Sequence, residues 1–452
     1  MNSSPDYLAK LAQFAATTRL EEIPLEVIAR AKEILLDTLP VIAAGMRSPE
    51  LQALADRQIA SGASDACSVI GTGRTTHSLD AGMLNGIAGA WLDFDEGNTR
   101  ANGHPGIQVL PAALAVAQAR GLSGRAFLSA FIIGYEIVAR IGAATQLKLI
   151  VNPHGTFGVV GAALAVARLS GLAVDQYREL ASIAASACMA TNRHTMLNGA
   201  TVRNWYAGHS ATMGQMAVRL VQSGFTGPAD GLSTTFGLVL GDDFAPEVAI
   251  AGLGERWMLT DSYIKLYPTA RYVHSAIDAL QAALADAAVK AIPIELIDRI
   301  DVRAYRLAAF LKNQLVNNWF GARFSIPFAL ATLLVGTRPG LAAFGDEAVA
   351  DSQVQALAAR VHVIEDEAYT AAYPEQQSVS LTIQLRDGLR YAGRSDITSG
   401  ERTRPHRPEA IYAKFQGLAE AAWGPSNAAR MRAVVMQLED VPDMAQWMEF
   451  SL

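Results

Sequence analysis

Cysteine is scarce in this sequence, since only Cys67 and Cys188 occur among 452 residues. Two thiols so far apart exclude a disulfide framework and a cysteine-rich zinc site, and they fit a reducing compartment. The chain also lacks a strong charge of either sign, because 37 basic and 43 acidic residues leave a formal charge of −6. This balance gives no reason to expect a nucleic acid or an anionic membrane as a partner.

A secretory leader and a membrane-spanning run are missing from the pattern as well. The first twenty residues have no basic stretch followed by an apolar one, so we predict no signal peptide. The longest uncharged run, 149–167, contains Asn152, Pro153, His154 and three glycines, which is poor material for a membrane span. We therefore expect a cytoplasmic protein without a membrane partner. Apolar residues make up 51% of the chain, enough for a large core and two or more domains.

Helical periodicity dominates roughly the first 270 residues. The stretch "IPLEVIARAKEILLDTLPVIAAGM" has apolar residues at helical spacing and Pro24 near its start. The Ala-rich stretches 110–119, 126–141 and 162–170 are apolar nearly all round, as buried helices are. Gly155, Gly158 and Gly161 are three residues apart, a spacing that favours close helix packing.

Strand periodicity takes over between about 271 and 400. Apolar Ile300, Val302 and Ala304 alternate with polar neighbours, and "SVSLTIQLRDGLRYAG" predicts a hairpin that turns at Asp387-Gly388. Beyond 400 the helical pattern returns. The sequence thus predicts a mainly α protein with an α+β second domain. Residues 1–270, completed by 401–452, form the helical domain, and 271–400 form the α/β domain.

The polar stretch "DFDEGNTRANGHPG", 93–106, interrupts Ala-rich apolar sequence. It is either a solvated loop or a cluster of functional side chains. Asp93, Asp95, Glu96 and His104 could bind a metal, but a hard-metal site usually draws carboxylates from several elements. We therefore predict no metal there. The stretch "GTGRTT" has Thr76 where a dinucleotide-binding loop needs glycine, so it predicts a hairpin turn instead.

Two further stretches carry groups suited to anion binding and proton transfer. His154 lies in a Pro- and Gly-flanked turn before a predicted helix, where a lone histidine is often structural. In "YIKLYPTARYVHSAIDAL", Pro268 can begin a helix, and four polar side chains fall within ten residues around it. This grouping suits an anion site with a proton-transfer group. The four are Lys265, Tyr267, Arg271 and His274.

Six motifs spread across nearly the whole chain occur together in the order of one known family. They are "WLDFDEGN…GHPG…LPAALA", "GYEIVARIG", "HGTFGVVGAALAVARLSGL", "GFTGP", "KLYPTARYVHSAIDA" and "FSIPFALA". In this order they resemble the MmgE/PrpD family, which includes 2-methylcitrate dehydratase, cis-aconitate decarboxylase and iminodisuccinate epimerase. The resemblance implies a large all-helical domain, a smaller α/β lid domain and an active site between them. It also implies a homodimer, a small polycarboxylate substrate, and no metal or organic cofactor.

The resemblance also implies which residues form the site. Catalytic roles fall on Asp93, His104, His154, Lys265 and Tyr267. Substrate-binding roles fall on Arg100, Arg203, Arg271 and His274.

Three positions depart from the family pattern. Arg203 stands where dehydratases and decarboxylases of the family usually carry lysine. Gly106 follows the histidine-proline pair, where serine or threonine is common in the family. Thr269 replaces a cysteine that usually follows the tyrosine-proline pair. Arginine stays charged and binds carboxylates through a bidentate fork, so it suits binding better than proton transfer.

We therefore predict an enzyme that moves a proton next to a carboxylate. Arg203 and Arg271 would neutralise the carboxylate, while the base would be His104, His154, or Lys265 with its pKa lowered by neighbouring cations. The reaction predicted first is epimerisation of an amino-dicarboxylate such as iminodisuccinate, by an isomerase. The alternatives are a hydro-lyase of the 2-methylcitrate dehydratase type, a decarboxylase of the cis-aconitate type and, from another class, an inactive polycarboxylate-binding protein.

Overall fold

A computed structural model describes residues 6–59, 66–286, 292–338 and 340–451. The chain forms two compact units. The first contains the described residues of Met1–Arg193, Val202–Ile264 and Pro408–Leu452. The second contains those of His194–Thr201 and Lys265–Arg407. The units change at 264/265 and 407/408, whereas the sequence predicted 270/271 and 400/401. The segment His194–Thr201, which the sequence assigned to the helical domain, belongs to the second unit.

Helices form most of the first unit. The stretch with Pro24 near its start is a helix from Leu25 to Met46, as predicted, and Pro24 is its N-cap residue. The C-terminal helix Pro408–Met436, which contains a break at Gly424, packs against Leu25–Met46. The other helices of the unit are Tyr7–Thr17, Pro49–Gln58, Ser78–Trp91, Pro105–Ala119, Gly124–Ala144, Phe157–Ser170, Gln176–Ser186, Trp205–Gln222, Gly231–Thr234 and Pro246–Ile250.

Three of these helices are buried on almost every face, as their apolar composition predicts: Pro105–Ala119, Gly124–Ala144 and Phe157–Ser170. Close packing between the last two depends on glycine, because a Cβ atom on Gly134 would lie 2.8 Å from the Gly161 carbonyl oxygen. Gly124–Ala144 is long and apolar enough to cross a membrane by length and composition alone. However, 89% of its most apolar window is buried inside the protein, as in a core helix.

Short strands occur in the first unit, so the expectation that it is all-helical is wrong in this detail. Cys67–Val69 pairs with Arg74–Thr76 as a hairpin, which confirms the turn predicted at "GTGRTT". Two further antiparallel pairs join segments distant in sequence: Gly97–Asn98 with Ser262–Tyr263, and Thr145–Leu147 with Gly241–Phe244. Segments of two to four residues carry too little periodicity to be recognised from sequence.

A four-stranded sheet forms the centre of the second unit, in the order Arg390–Ser395, Val379–Leu385, Ile297–Ala304, Val361–Glu365. The first two strands are the predicted hairpin, and only the last pair is parallel. The predicted alternation is confirmed, since the inward-facing residues Ile300, Val302 and Ala304 are fully buried. The helices of the unit are His194–Leu197, Arg271–Asp286, Arg306–Ala309, Trp319–Ala322, Ile326–Val335, Asp346–Val349, Ser352–Ala358 and Glu367–Ala371.

The helix Arg271–Asp286 packs against the hairpin strands of this sheet. Val273 and Ile277 are fully buried and Leu280 nearly so, and together they form the apolar stripe of this helix. The helix begins at Arg271 and not at Pro268, where the sequence suggested a start. Together the two units confirm a mainly α protein with an α+β second part.

Candidate active site

The acidic side chains and His104 in the polar loop between helices Ser78–Trp91 and Pro105–Ala119 are buried. Asp93, Asp95 and Glu96 are at most 1% exposed, and His104 is 7% exposed. A solvated loop, the alternative that the sequence left open, does not fit these values. Because buried charges need partners, the contacts of this loop define a candidate site in the first unit.

Hydrogen bonds hold the loop in one conformation. Gly97–Asn98 pairs with Ser262–Tyr263, and the main-chain N–H of Asn98 donates to the Gly103 carbonyl at 2.8 Å. The Asn98 side chain donates to the Met258 carbonyl at 2.8 Å and accepts from the main-chain N–H of Ala101 at 3.1 Å. These bonds close a tight turn that returns the chain toward its starting point, so Asp95 and His104 come together.

Asp93 adopts an uncommon backbone conformation, with a φ of +48°. Non-glycine residues with positive φ are infrequent and are found at strained functional turns. The Asp93 carboxylate accepts a hydrogen bond from Arg203 at 3.0 Å, and both side chains are buried. The turn thereby directs a carboxylate onto the guanidinium and fixes the orientation of Arg203.

His104 forms a buried pair with Asp95. The distance between His104 Nδ1 and Asp95 Oδ2 is 2.7 Å. A carboxylate can only accept, so this bond places a proton on Nδ1 and leaves Nε2 as the second nitrogen of the ring. The negative charge of Asp95 also stabilises the imidazolium form. The pair therefore has the features of a proton donor and acceptor centred on His104 Nε2.

His154 lies directly beside His104, with ring centroids 4.8 Å apart and planes tilted by 50°. Arg203 donates to His154 Nε2 at 3.1 Å. Because a guanidinium has no acceptor, Nε2 carries no proton and the neutral ring is protonated on Nδ1. Asn152 holds the turn by accepting from the main-chain N–H of His154 at 3.0 Å.

Glu96 lies behind this pair and is fully buried. It accepts hydrogen bonds from the Gly106 main-chain N–H at 2.5 Å and from the Tyr135 hydroxyl at 3.1 Å. Burial, followed by the charge of Asp95, raises the pKa of Glu96 to about 8. The side chain is therefore a neutral acid over most of the physiological pH range.

The second unit contains the other predicted catalytic residues. Lys265 is fully buried, and it follows the strand Ser262–Tyr263 after one intervening residue. The rings of Tyr267 and His274 are 5.7 Å apart in an edge contact, and Gln281 donates to the Tyr267 hydroxyl at 2.8 Å. Burial raises the pKa of Tyr267. The structure thus brings Tyr267 and His274 together.

Arg271 has its own set of partners in the second unit. It pairs with Glu401 at 2.8 Å and donates to the main-chain carbonyls of Ser399 at 2.8 Å and Thr398 at 3.3 Å. These contacts are those of a residue that ties a loop to a helix. Substrate binding by Arg271 stays a prediction, and a carboxylate ligand there would compete with Glu401.

Arg100 is more exposed than the buried cluster of the first unit. Its side chain is 40% exposed, and its Nε atom is 3.7 Å from a carboxylate oxygen of Asp261, a loose ion pair. Its predicted role in substrate binding likewise stays a prediction.

A set of side chains that could bind a metal ion is absent from the part of the chain that the structure describes. No group of three or more His, Cys, Asp or Glu side chains there is arranged to hold a metal ion. In particular, His104 is turned toward Asp95 as a hydrogen-bonded pair.

Two family models cover most of the chain. The MmgE/PrpD N-terminal domain matches residues 9–241, and the MmgE/PrpD C-terminal domain matches residues 267–440. This chain belongs to the MmgE/PrpD family.

Curated relatives of this MmgE/PrpD enzyme include several cis-aconitate decarboxylases at low identity. The protein of that name from Aspergillus terreus (strain NIH 2624 / FGSC A1156) is 24% identical over 480 residues, covering 99% of this chain and 96% of the relative. The one from Homo sapiens is 26% identical over 391 residues, covering 80% and 77%. The one from Mus musculus is 25% identical over 379 residues, covering 80% and 76%.

One departure from the MmgE/PrpD pattern has a direct structural reason. A Cβ atom on Gly106 would overlap the Glu96 carboxylate, so a serine or threonine cannot follow the histidine-proline pair while Glu96 keeps this position. The carboxylate of Glu96 fills the space that a hydroxyl side chain at 106 would need. Glycine at 106 and glutamate at 96 are therefore coupled.

Sequence reasoning left Asp95 and Glu96 without a role and did not consider Tyr135 or Lys414. Asp95 could have been found, because it and His104 share one motif and a turn can join them. Glu96 had a weaker signal in the unusual glycine at 106. Tyr135 lies in one of the family motifs, but its contact with Glu96 spans 39 residues of sequence and leaves no local pattern. Lys414 carries no local signal, because its contact with the loop spans 320 residues.

Proposed function

We propose that this MmgE/PrpD enzyme is a lyase that decarboxylates a small unsaturated di- or tricarboxylate of the cis-aconitate type. His104, paired with Asp95, is the proton donor, and Arg203 binds a substrate carboxylate. The names of the curated relatives support a lyase, and the geometry of the two histidines favours it over an epimerase.

The observation that carries this choice is the ring contact between His104 and His154. Epimerisation by two bases requires groups on opposite faces of one carbon, each about 3–3.5 Å from it. With that carbon between them, two imidazole centroids would stand about 8 Å or more apart. The centroids are 4.8 Å apart, so these two histidines cannot be the opposed bases of an epimerase. One face suffices for decarboxylation, which needs a single proton donor.

The chemistry follows from the protonation states described above. The bond to the departing carboxylate breaks, CO2 leaves, and the electron pair passes into the conjugated system of the substrate. Protonated His104 then gives the Nε2 proton to carbon and recovers a proton from solvent. Asp95 stabilises the imidazolium before this transfer, and neutral His154 offers an Nδ1–H donor.

Arg203 supplies positive charge for the carboxylates that remain on the substrate. Its planar fork matches carboxylate geometry, and its contacts with Asp93 and His154 hold that fork in place before substrate arrives. Asp93 thus acts through Arg203, as a positioning residue. Lys265, Tyr267 and His274 are proposed as further site residues on the family resemblance.

Proton NMR in D2O with cis-aconitate, 2-methylcitrate and iminodisuccinate tests the proposal. Decarboxylation should release CO2 and place one solvent deuteron on the product carbon. Water loss without CO2 would indicate a hydro-lyase instead. Exchange of a C–H for deuterium without loss of carbon would indicate an epimerase. His104→Gln should abolish turnover, whereas His362→Gln, at an exposed strand position, should leave it unchanged.

Epimerisation of an amino-dicarboxylate is the second candidate, and one observation favours it. Arg203 replaces a lysine, and arginine cannot supply the proton that a lysine could. In that case one base is His104 and the other must come from outside the two histidines. Lys265 is the residue proposed for this second role, by the family motif that contains it.

A further inference from the structure

Lys414 is a buried lysine whose contacts lie at the base of the active-site loop. It belongs to the C-terminal helix Pro408–Met436, and its side chain is 5% exposed. Its ammonium donates to the Phe94 carbonyl at 2.7 Å and to Asp37 Oδ1 at 2.5 Å. The same nitrogen lies 3.9 Å from the centroid of the Phe94 ring. A buried ammonium requires such partners, since desolvation otherwise disfavours it strongly.

Phe94 connects the contacts of Lys414 to the two aspartates of the active-site loop. Phe94 stands between Asp93, which orients Arg203, and Asp95, which pairs with His104. Asp93 has positive φ, and such a turn persists only where the surroundings over-determine it. The hydrogen bond from Lys414 fixes the peptide unit between the two aspartates. Loss of that bond would allow this peptide to rotate and would release both carboxylates from their partners.

The charge of Lys414 acts on the same region. Three buried carboxyl groups, those of Asp37, Asp95 and Glu96, lie close enough to influence one another. Burial raises the pKa of Asp37, and Lys414 opposes this rise. Arg30 is a further cation that acts on Asp37. Lys414 therefore offsets negative charge behind the loop as well as bonding to its backbone.

We propose that Lys414 is a positioning residue for the active-site loop, which holds the Phe94 peptide so that Asp93 meets Arg203 and Asp95 meets His104. This role rests on the proposed function of His104 and Arg203 only for its effect on turnover. Its effect on the loop itself is independent of any substrate.

The chain offers a matched control in Lys32. This side chain is 10% exposed and joins the same two helical segments, through the Met436 carbonyl at 2.7 Å and Glu439 at 2.5 Å. Both of these partners lie in the C-terminal segment, outside the active-site loop. Lys414→Met and Lys32→Met each remove a buried ammonium from the same pair of segments, so a loss of stability alone should appear in both.

Hydrogen–deuterium exchange of peptides that cover 92–105 is the first measurement. Lys414→Met should speed exchange in this loop, while Lys32→Met should leave it unchanged. Equal exchange in both variants would overturn the proposal, whatever the substrate proves to be. On a substrate that the wild type turns over, Lys414→Met should lower kcat by about ten- to a hundredfold. Lys32→Met should retain kcat within about twofold.

A double variant separates bonding from charge balance. Asp37→Asn with Lys414→Met removes both charges, so it should fold even if Lys414→Met alone does not. Its urea midpoint should recover toward the wild type, but loop exchange should stay fast and kcat should stay low. Recovery of kcat together with stability would show that only charge balance matters and would overturn the positioning role. If the wild type turns over none of the tested acids, the proposed function fails while the exchange result still decides this proposal.

Discussion

The buried carboxyl of Glu96 should make the stability of this protein depend on pH. Its pKa is raised from the usual 4.5 to about 8, because burial and then the charge of Asp95 disfavour the ionised form. A raised pKa in the folded state gives stability that is complete below about 4.5. That stability is lost as the pH rises toward 8, since the unfolded chain ionises freely over this range while the folded chain does not.

The size of this effect follows from the two pKa values. A shift from 4.5 to about 8 corresponds to at most about 5 kcal/mol, at about 1.4 kcal/mol for each unit of pH. Between pH 6 and pH 8 the contribution of Glu96 changes by about 2 kcal/mol, because ionisation of the folded form begins to relieve the penalty near pH 8. Glu96→Gln removes this contribution, and a glutamine can still accept from the Gly106 main-chain N–H.

Urea unfolding at pH 6, 7 and 8, followed by tryptophan fluorescence, measures the difference. The wild type should lose about 2 kcal/mol more than Glu96→Gln between pH 6 and pH 8 in the transition of the first unit. Glu50→Gln, at an exposed helix position, is the matched control and should keep the pH dependence of the wild type. Equal slopes in the wild type and Glu96→Gln would contradict this account, because Glu96 would then be ionised in the folded protein.

Four further results are expected. Lys265→Met should lower kcat strongly in steady-state assays, and near-full activity would contradict an acid/base role for this lysine. Arg203→Met should mainly raise KM for a polycarboxylate, by about ten- to a hundredfold, because a lost charge-assisted pair is worth about 1.5–3 kcal/mol. Abolished turnover with unchanged binding would contradict the role assigned to Arg203. Gly106→Ser should lower the thermal stability of the protein, because the serine side chain would overlap Glu96. Adding Glu96→Asp to this variant should recover part of the lost stability in thermal unfolding, and no recovery would contradict the coupling of the two positions. Exhaustive chelation should leave activity intact, and a loss that Mg2+, Mn2+ or Zn2+ restores would revive a metal role for the acidic loop.

Sequence predicted the elements whose residues contact their own neighbours in the chain. The hairpin Val379–Leu385 and Arg390–Ser395 was predictable because alternation and an Asp-Gly turn are both local. The helices Leu25–Met46 and Gly124–Ala144 were predictable for the same reason, since periodicity needs only a few turns of chain. Pairs such as Gly97–Asn98 with Ser262–Tyr263 were not, because two residues carry no period.

The active-site loop also has features that the sequence predicts and features that only the fold decides. Its composition made Asp93, Asp95, Glu96 and His104 candidates for metal binding only. The motif order indicated the family, and that resemblance gave Asp93 and His104 their catalytic roles. Composition could not decide whether the loop was solvated, because burial depends on which segments cover it. The motif places Asp95 near His104 in sequence, but only the fold shows the hydrogen bond between them, because it depends on the turn closed by Asn98.

Local patterns in the chain were thus sufficient to specify its longer helices, the strands of its hairpin and its family. Contacts made only in the folded chain specify which nitrogen of each histidine carries a proton. Asp95 acts on His104 from within the same loop, and Arg203 acts on His154 across 49 residues of sequence. Such contacts also make Glu96 neutral and bring Lys414 to Phe94 across 320 residues. Hydrogen bonds and desolvation act over a few ångströms in space, and no local pattern records which distant segments share that space.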